Sequence, residues 1–353
     1  QLRNIDATDL HDPTVPVYDA TTPATRLATG NSATYRRISK LAPDKIAQAL
    51  TDLMKEKEVN ITTKKCGLSI PFASSLMSVI EMPEVSAKQL SVMVPLEARK
   101  YIPVPISEVM LDWSVVPKSE VRVEDSQEFS TSETKPPSII TKIDVLIVAI
   151  HNETIARYQE IVTKANLEAG FFEIEIFATC RAVLNETLEP VMIIDIGAAS
   201  SKVYVIERGI IHASHTVNRG SQDITSTISA SLGITPERAE IMKRQVGLLG
   251  DDKSFKEVIV LTLDYIFAEA NSTLLAFEKK YNKAISKVIL VGGGSALKGL
   301  SALAKNNFKT EVVSADPFSK VTAPAFLEGI LKETGPEFAV AIGLALRKLA
   351  EEE

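Results

Sequence analysis

The chain has 353 residues, 45% of them hydrophobic and 24% charged, a composition ordinary for a globular protein with material for more than one core. Its 39 basic and 45 acidic residues give a net charge of -6, which argues against a nucleic-acid binder that needs a basic face. Two cysteines exclude a disulfide scaffold and four histidines exclude a His-rich metal cage. The longest apolar runs, such as 143–150 and 257–263, fall far short of the ~20 residues of a membrane span. No secretory signal pattern opens the sequence, which starts at Gln1.

Residues 1–40 read as loop, because Pro13, Pro16 and Pro23 break any periodicity. Ile46, Leu50, Leu53 and Met54 recur at helical spacing behind Pro43 and Asp44, which predicts a helix over 43–57. Short strands follow at 65–71 and 75–81, then a helix at 86–101 that Pro103 and Pro105 stop, then a strand at 109–116. The polar, acidic, Pro/Ser/Thr-rich stretch 117–140 reads as a loop between strands, since 143–150 is a strong strand. A helix is expected at 152–169, a strand at 173–176 and a helix at 178–188. Next come a strand at 191–194 and a hairpin of 202–207 and 210–216 around Arg208-Gly209. Helices at 222–232, 236–246 and 256–282 precede a strand at 287–291. A helix at 297–305, a strand at 311–313 and a helix at 337–349 close the chain. From 171 onward, strands and helices alternate as in an α/β layered structure.

Four stretches carry chemistry. The first is DIGAASSK at 195–202. An acid at a strand end, a glycine turn and small hydroxyl residues suit a polyphosphate: the glycine lets backbone approach, N–H and hydroxyl groups donate, and Asp195 can hold Mg²⁺ through water. Read alone, the same stretch is a plain β-turn. The second is GGGSALKGL at 292–300, a glycine cluster between strand and helix that can cradle a nucleotide. It has neither Rossmann nor P-loop spacing, and a tight turn explains it equally well. The third is AEIMK at 239–243, where Glu240 and Lys243 share a helix face. The carboxylate can accept from ribose hydroxyls and the lysine stem can pack on a purine; otherwise the two are a solvated ion pair. The fourth is Glu175, just before a helix, which can polarise an attacking water or stand as an exposed strand-end acid.

In this order the stretches resemble the C-terminal half of the actin/Hsp70/sugar-kinase superfamily. The segments MPE at 82–84, EARKYIPVPISEV at 97–109, Asp112-Trp113, RGSQDIT at 219–225 and GPEFAVAIGLAL at 335–346 resemble, more narrowly, the PilM family of actin-like type IV pilus proteins. The likeness runs from about 34 to 349. It implies a two-lobed actin-like (ribonuclease H-like) α/β fold with a small α/β subdomain inserted as in FtsA. The first lobe would be 1–80 with 166–190, the insertion 81–165, and the second lobe 191–353 with a helical cap near 236–286.

The resemblance also implies a ligand: ATP or ADP with Mg²⁺. Asp195, Gly197, Ala198, Ser200, Ser201, Lys202, Gly220 and Gln222 would face the phosphates. Glu240, Lys243, Gly292, Gly293, Gly294, Ser295 and Lys298 would surround the adenosine, Asp195 would hold the metal through water, and Glu175 would be the catalytic carboxylate that polarises the attacking water. The family's first Asp-x-Gly phosphate loop has no counterpart before residue 34, so at most a slow ATPase is expected. The implied partner is the cytoplasmic N-terminal peptide of a PilN-like inner-membrane protein, held between first lobe and subdomain. Arg99, Tyr101, Pro103 and Asp112 are the candidate contacts; Tyr101 and the prolines can equally close the subdomain core. Other pilus platform proteins and a homo-oligomer are further expected partners, and nucleic acid is not. The expected location is the cytoplasmic face of the inner membrane, reached through a protein partner. A kinase or vigorous ATPase, and an FtsA-like cell-division protein, are the alternatives. The chain ends RKLAEEE, without the amphipathic membrane-targeting helix of the latter.

Overall fold

Among the described residues, three separate sheets organise the chain. They are seen in a computed structural model that describes residues 42–57, 61–116, 142–185 and 188–352. The loops read at 1–40 and 117–140 lie outside the described residues.

In the first lobe, β1 (Lys65–Ile70) pairs in parallel with β5 (Glu168–Ile174). The chain between them leaves to build the second sheet. There β2 (Ser75–Pro83), β3 (Val109–Val115) and β4 (Lys142–His151) form an antiparallel sheet of order β2-β4-β3. Helix α2 (Ala87–Ala98) covers one face of it, burying Leu90, Val94 and Ala98 against Ile80, Met82, Val145 and Ile147. Its start is set by a capping box, with Ser86 accepting from the Gln89 N–H and Gln89 accepting from the Ser86 N–H.

Helix α3 (Asn152–Lys164) returns the chain to β5 and packs on α1 (Pro43–Lys55), with Lys164 pairing with Asp44 at 2.5 Å. β2 thus crosses the expected boundary at 80/81. Helix α3, expected inside the insertion, lies against the first lobe. The predicted helix at 152–169 stops early, because Asn166 takes a left-handed φ of 56° and β5 begins at Glu168.

In the second lobe, β6 (Val191–Ile196), β7 (Ser201–Glu207), β8 (Ile210–Val217), β9 (Lys287–Val291) and β10 (Glu311–Ser314) form a sheet of order β10-β9-β6-β7-β8. β6 is buried along its whole length. Strand alternation divides its side chains between two cores. Met192, Ile194 and Ile196 face helix α7 (Lys253–Tyr281) through Ile259, Leu263 and Phe267. Val191 and Ile193, with Tyr204 and Ile206 of β7, face α4 (Glu175–Val183) and α10 (Ala339–Glu352). Burying one such isoleucine stabilises the fold by about 1.5–3 kcal/mol.

Helix α7 is the one helix among the described residues long and apolar enough to cross a membrane by length and composition. Here it is the central helix of the second-lobe core. Two further helices, α5 (Ser221–Leu232) and α6 (Pro236–Gln245), lie between β8 and α7. After β9, the glycine cluster makes a single 3-10 turn, Gly293–Ala296, so helix α8 (Leu300–Asn307) starts three residues later than predicted. Helix α9 (Glu328–Thr334) has no counterpart in the prediction.

Candidate functional site

The same alternation that places Ile193 against α4 sends Asp195 to that face. Asp195 is opposite Lys202 in the β6–β7 register, so both side chains leave the sheet together. Between them the chain turns through 197–200, closed by the Gly197 N–H donating to Ser200 O at 3.1 Å. The loop then leans on the start of α5. Gly197 O accepts from the Ser221 N–H and Ala198 O from the Gln222 N–H, each at 2.9 Å, which uses donors that a helix N-terminus leaves free. Gly220 makes this approach possible, since a Cβ there would stand 2.7 Å from Gly197 O.

The glycine cluster meets Asp195 from the other side. Gly292 has a left-handed φ of 85°, and a Cβ on it would run into Asp195 Oδ1 and lie 2.7 Å from Ile196 O. Its N–H donates to Pro336 O at 3.0 Å. Gly294 lies equally close to Ile196. Ser295 Oγ donates back to Gly292 O at 2.7 Å and fixes the turn. The structure therefore brings the 195–202 turn, Gly220 and the 292–295 turn together, although 97 residues of sequence separate Asp195 from Gly292.

Glu240 and Lys243 form a closed network instead of an open bracket. Lys243 is buried, with Nζ 2.6 Å from Glu240 Oε2, and it donates to Thr225 Oγ1 at 2.9 Å and Ser221 O at 3.1 Å. Thr225 Oγ1 donates to Glu240 Oε2 at 2.5 Å, and Arg244 Nε to Glu240 Oε1 at 2.7 Å. Burial pushes the Glu240 carboxyl up, but the hydrogen bonds from Lys243, Thr225 and Arg244 outweigh it and hold it at about 2. Burial draws the Lys243 ammonium below its ordinary value against the pull of Glu240. The network ties α6 to the start of α5, the helix the 197–200 turn leans on.

Two predicted ligands are committed elsewhere. Ser201 is fully buried and its hydroxyl donates to Arg219 O at 2.8 Å, so it holds the hairpin. Lys298 donates to Gln245 O at 3.0 Å and caps the end of α6. Ala198, Gln222 and Gly293 are exposed beside the turns, and Ser200 is buried.

Glu175 is the first residue of α4, and its side chain is 14% exposed, so it is not a solvated strand-end acid. Its Oε1 accepts from the Phe72 N–H at 2.8 Å and lies 3.2 Å from Lys202 Nζ. Lys202 Nζ also lies 3.4 Å from Asp195 Oδ2. Burial raises the Glu175 carboxyl above its ordinary value, against the opposing charge of Lys202. The Lys202 ammonium is raised too: burial would lower it, and Asp195 and Glu175 more than reverse that. An ammonium thus bridges the two acids, which leaves no room for a magnesium ion bound directly between them. Among the described residues, no group of three or more His, Cys, Asp or Glu side chains is placed to hold a metal.

Sequence reasoning missed Thr225, Arg244, Phe72 and Glu337. Glu337 stands beside Gly293, where a Cβ would meet its Cγ at 3.7 Å. Thr225 and Glu337 lie in the RGSQDIT and GPEFAVAIGLAL segments, which gave no role for them; Arg244 and Glu240 are at i, i+4 spacing, which is a readable signal.

Tyr101 is half exposed and lines a cavity of about 50 Å³ with Leu76, Met77, Ser78, Ile102 and Ile147. Arg99 and Pro103 flank it on the connection after α2. Asp112 does not join them. It pairs with Val148 in the β3–β4 register, on the sheet face opposite α2, and accepts from the Trp113 N–H.

The two loops meeting at the end of β6, the β6–β7 hairpin and the inserted small sheet define an actin-like two-lobed protein. A sequence profile described as Type IV pilus assembly protein PilM matches residues 31–349. The chain belongs to the PilM family. A solved structure, the PilM-PilN type IV pilus biogenesis complex, is similar at a TM-score of 0.72 and 26% identity, covering 86% of this chain and 85% of that one. The cell division protein FtsA of Bacillus subtilis (strain 168) is 22% identical over 259 residues, and that of Escherichia coli (strain K12) is 22% identical over 232 residues. These matches take in 67% and 57% of this chain, which spans 58% and 54% of the relatives' length.

Proposed function

We propose that this pilus assembly protein is a nucleotide-binding adaptor. ATP or ADP would lie where the two turns meet, with its phosphates at 195–202 and its adenosine toward Glu240, Lys243 and the 292–295 turn. The observation that carries this reading is the contact between Asp195 and Gly292: a strand-end acid seated in a space that any side chain at 292 would fill. The restraint of Glu175 by Phe72 and Lys202 favours an adaptor over a kinase or vigorous ATPase, because a general base needs a free carboxylate.

The adaptor would dock the cytoplasmic N-terminal peptide of a PilN-like inner-membrane protein, other platform proteins and a second copy being further partners. The similarity to the PilM-PilN complex supports the first of these. A chain of net charge -6 gains nothing from an anionic lipid surface, so a protein tether would hold it at the cytoplasmic face of the inner membrane.

Calorimetric titration of ATP and ADP into the full chain tests the nucleotide reading. Binding is expected, and Lys243→Ala, which would loosen the network that fixes the start of α5 against the 197–200 turn, should weaken it about 10-fold. No heat at millimolar nucleotide would overturn it.

A further inference from the structure

Lys202 faces Asp195 because of strand register, not because of a chance side-chain conformation. The two residues are direct partners in the antiparallel β6–β7 pair. From there the ammonium lies 3.4 Å from Asp195 Oδ2 and 3.2 Å from Glu175 Oε1, and all three side chains are at most 14% exposed. It also overlooks the phosphate-type turn: a Cβ on Gly197 would be 3.8 Å from Nζ.

We propose that the Lys202 ammonium takes the place of a divalent cation at the phosphate end of the site, so that the chain binds its nucleoside polyphosphate as the metal-free anion. This rests on the nucleotide reading above. A magnesium ion needs oxygen ligands at about 2.0–2.1 Å in near-octahedral array. Bound to Asp195 directly or through a water, it would stand beside a lysine ammonium that already lies 3.4 Å from the carboxylate, and the two cations would repel each other among side chains at most 14% exposed. Moving the ammonium away would leave Glu175 and Asp195 buried beside each other with no counter-charge, which is unfavourable. An ammonium is a compact point charge with three N–H donors and a common phosphate ligand. Two carboxylates leave it the capacity to donate to a phosphate oxygen.

The arrangement also assigns Lys202 a second effect. Glu175 shares its Oε1 between the Phe72 N–H and the ammonium, so it is a positioning residue, not a base.

The test is titration of ATP into the full chain in excess EDTA and again in excess Mg²⁺. The two affinities should agree within about threefold. Lys202→Met should bind at least about tenfold more weakly in EDTA and recover in Mg²⁺, as the freed carboxylates accept the ion. A wild-type affinity that falls more than about tenfold on removing Mg²⁺ overturns the proposal and leaves the nucleotide reading intact, and this arm does not depend on the variant folding. Absence of binding in both buffers overturns both.

Discussion

Gly343 on α10 lies so close to Ala178 on α4 that a Cβ at 343 would overlap the Ala178 carbonyl, with Ala178 Cα only 2.8 Å away. The two helices cover the face of the second-lobe sheet that carries Asp195, and their separation sets the depth of that side of the site. Gly343→Val should force them apart. Overpacking of this kind costs about 1–3 kcal/mol. Thermal unfolding should show a fall of several degrees, and an unchanged melting temperature would mean that α10 tolerates a shift along α4.

Glu173 at the end of β5 accepts from Arg181 at 2.8 and 2.7 Å and from Arg347 at 3.3 Å, joining β5, α4 and α10. The carboxylate is 8% exposed and the arginines are about a third exposed. Glu173→Ala would strand two guanidinium groups at the edge of the core. The expected cost is about 3 kcal/mol, read from the urea midpoint. Glu173→Gln, which keeps shape and acceptor, should cost less.

The Glu240 network gives a pH dependence. Its carboxyl sits at about 2 in the folded chain against an ordinary 4.5. A depressed carboxyl stabilises the fold fully above its unfolded value, and that contribution is lost as pH falls through the folded value. Unfolding measured between pH 5 and pH 2 should therefore lose less stability in Glu240→Gln than in the wild type. Thr225→Val removes the hydroxyl that bridges Glu240 and Lys243 and should steepen the destabilisation at neutral pH by about 1–3 kcal/mol.

Turnover should be slow. With Glu175 held between Phe72 and Lys202, phosphate release from ATP should fall well below the ~10 s⁻¹ of a median enzyme. A rate near that value would show that the carboxylate is freed in the nucleotide complex.

Much of this was legible in the sequence, and the reasons are specific. The DIGA and triple-glycine stretches each allow a bland turn, and only their order along the chain and the flanking segments select the actin-like reading. The structure shows why their order matters: β6 and β9 are parallel neighbours, so the ends of two distant strands open on one spot. The roles of single side chains were less legible. Ser201 and Lys298 look like ligands by type and spacing, yet each is drawn to a backbone carbonyl that no motif announces, Arg219 O and Gln245 O. Asp112 stands in the same resembling segment as Tyr101, but strand alternation puts it on the face of the sheet away from α2. Helix α3 ends short of 169 at Asn166, whose short polar side chain tolerates the left-handed backbone that closes a helix, a stop signal readable in the sequence.

The adaptor claim is tested most directly by titrating a fluorescent N-terminal peptide of the PilN-like partner into the full chain and reading its anisotropy. Saturable one-to-one binding is expected. Tyr101→Ala should remain folded, because the ring is half exposed, and should bind at least about tenfold more weakly, as an aromatic anchor beside a small cavity would. Full-strength binding by a folded Tyr101→Ala would move the groove away from the α2–β3 connection, and a wild-type chain that ignores the peptide would contradict the account.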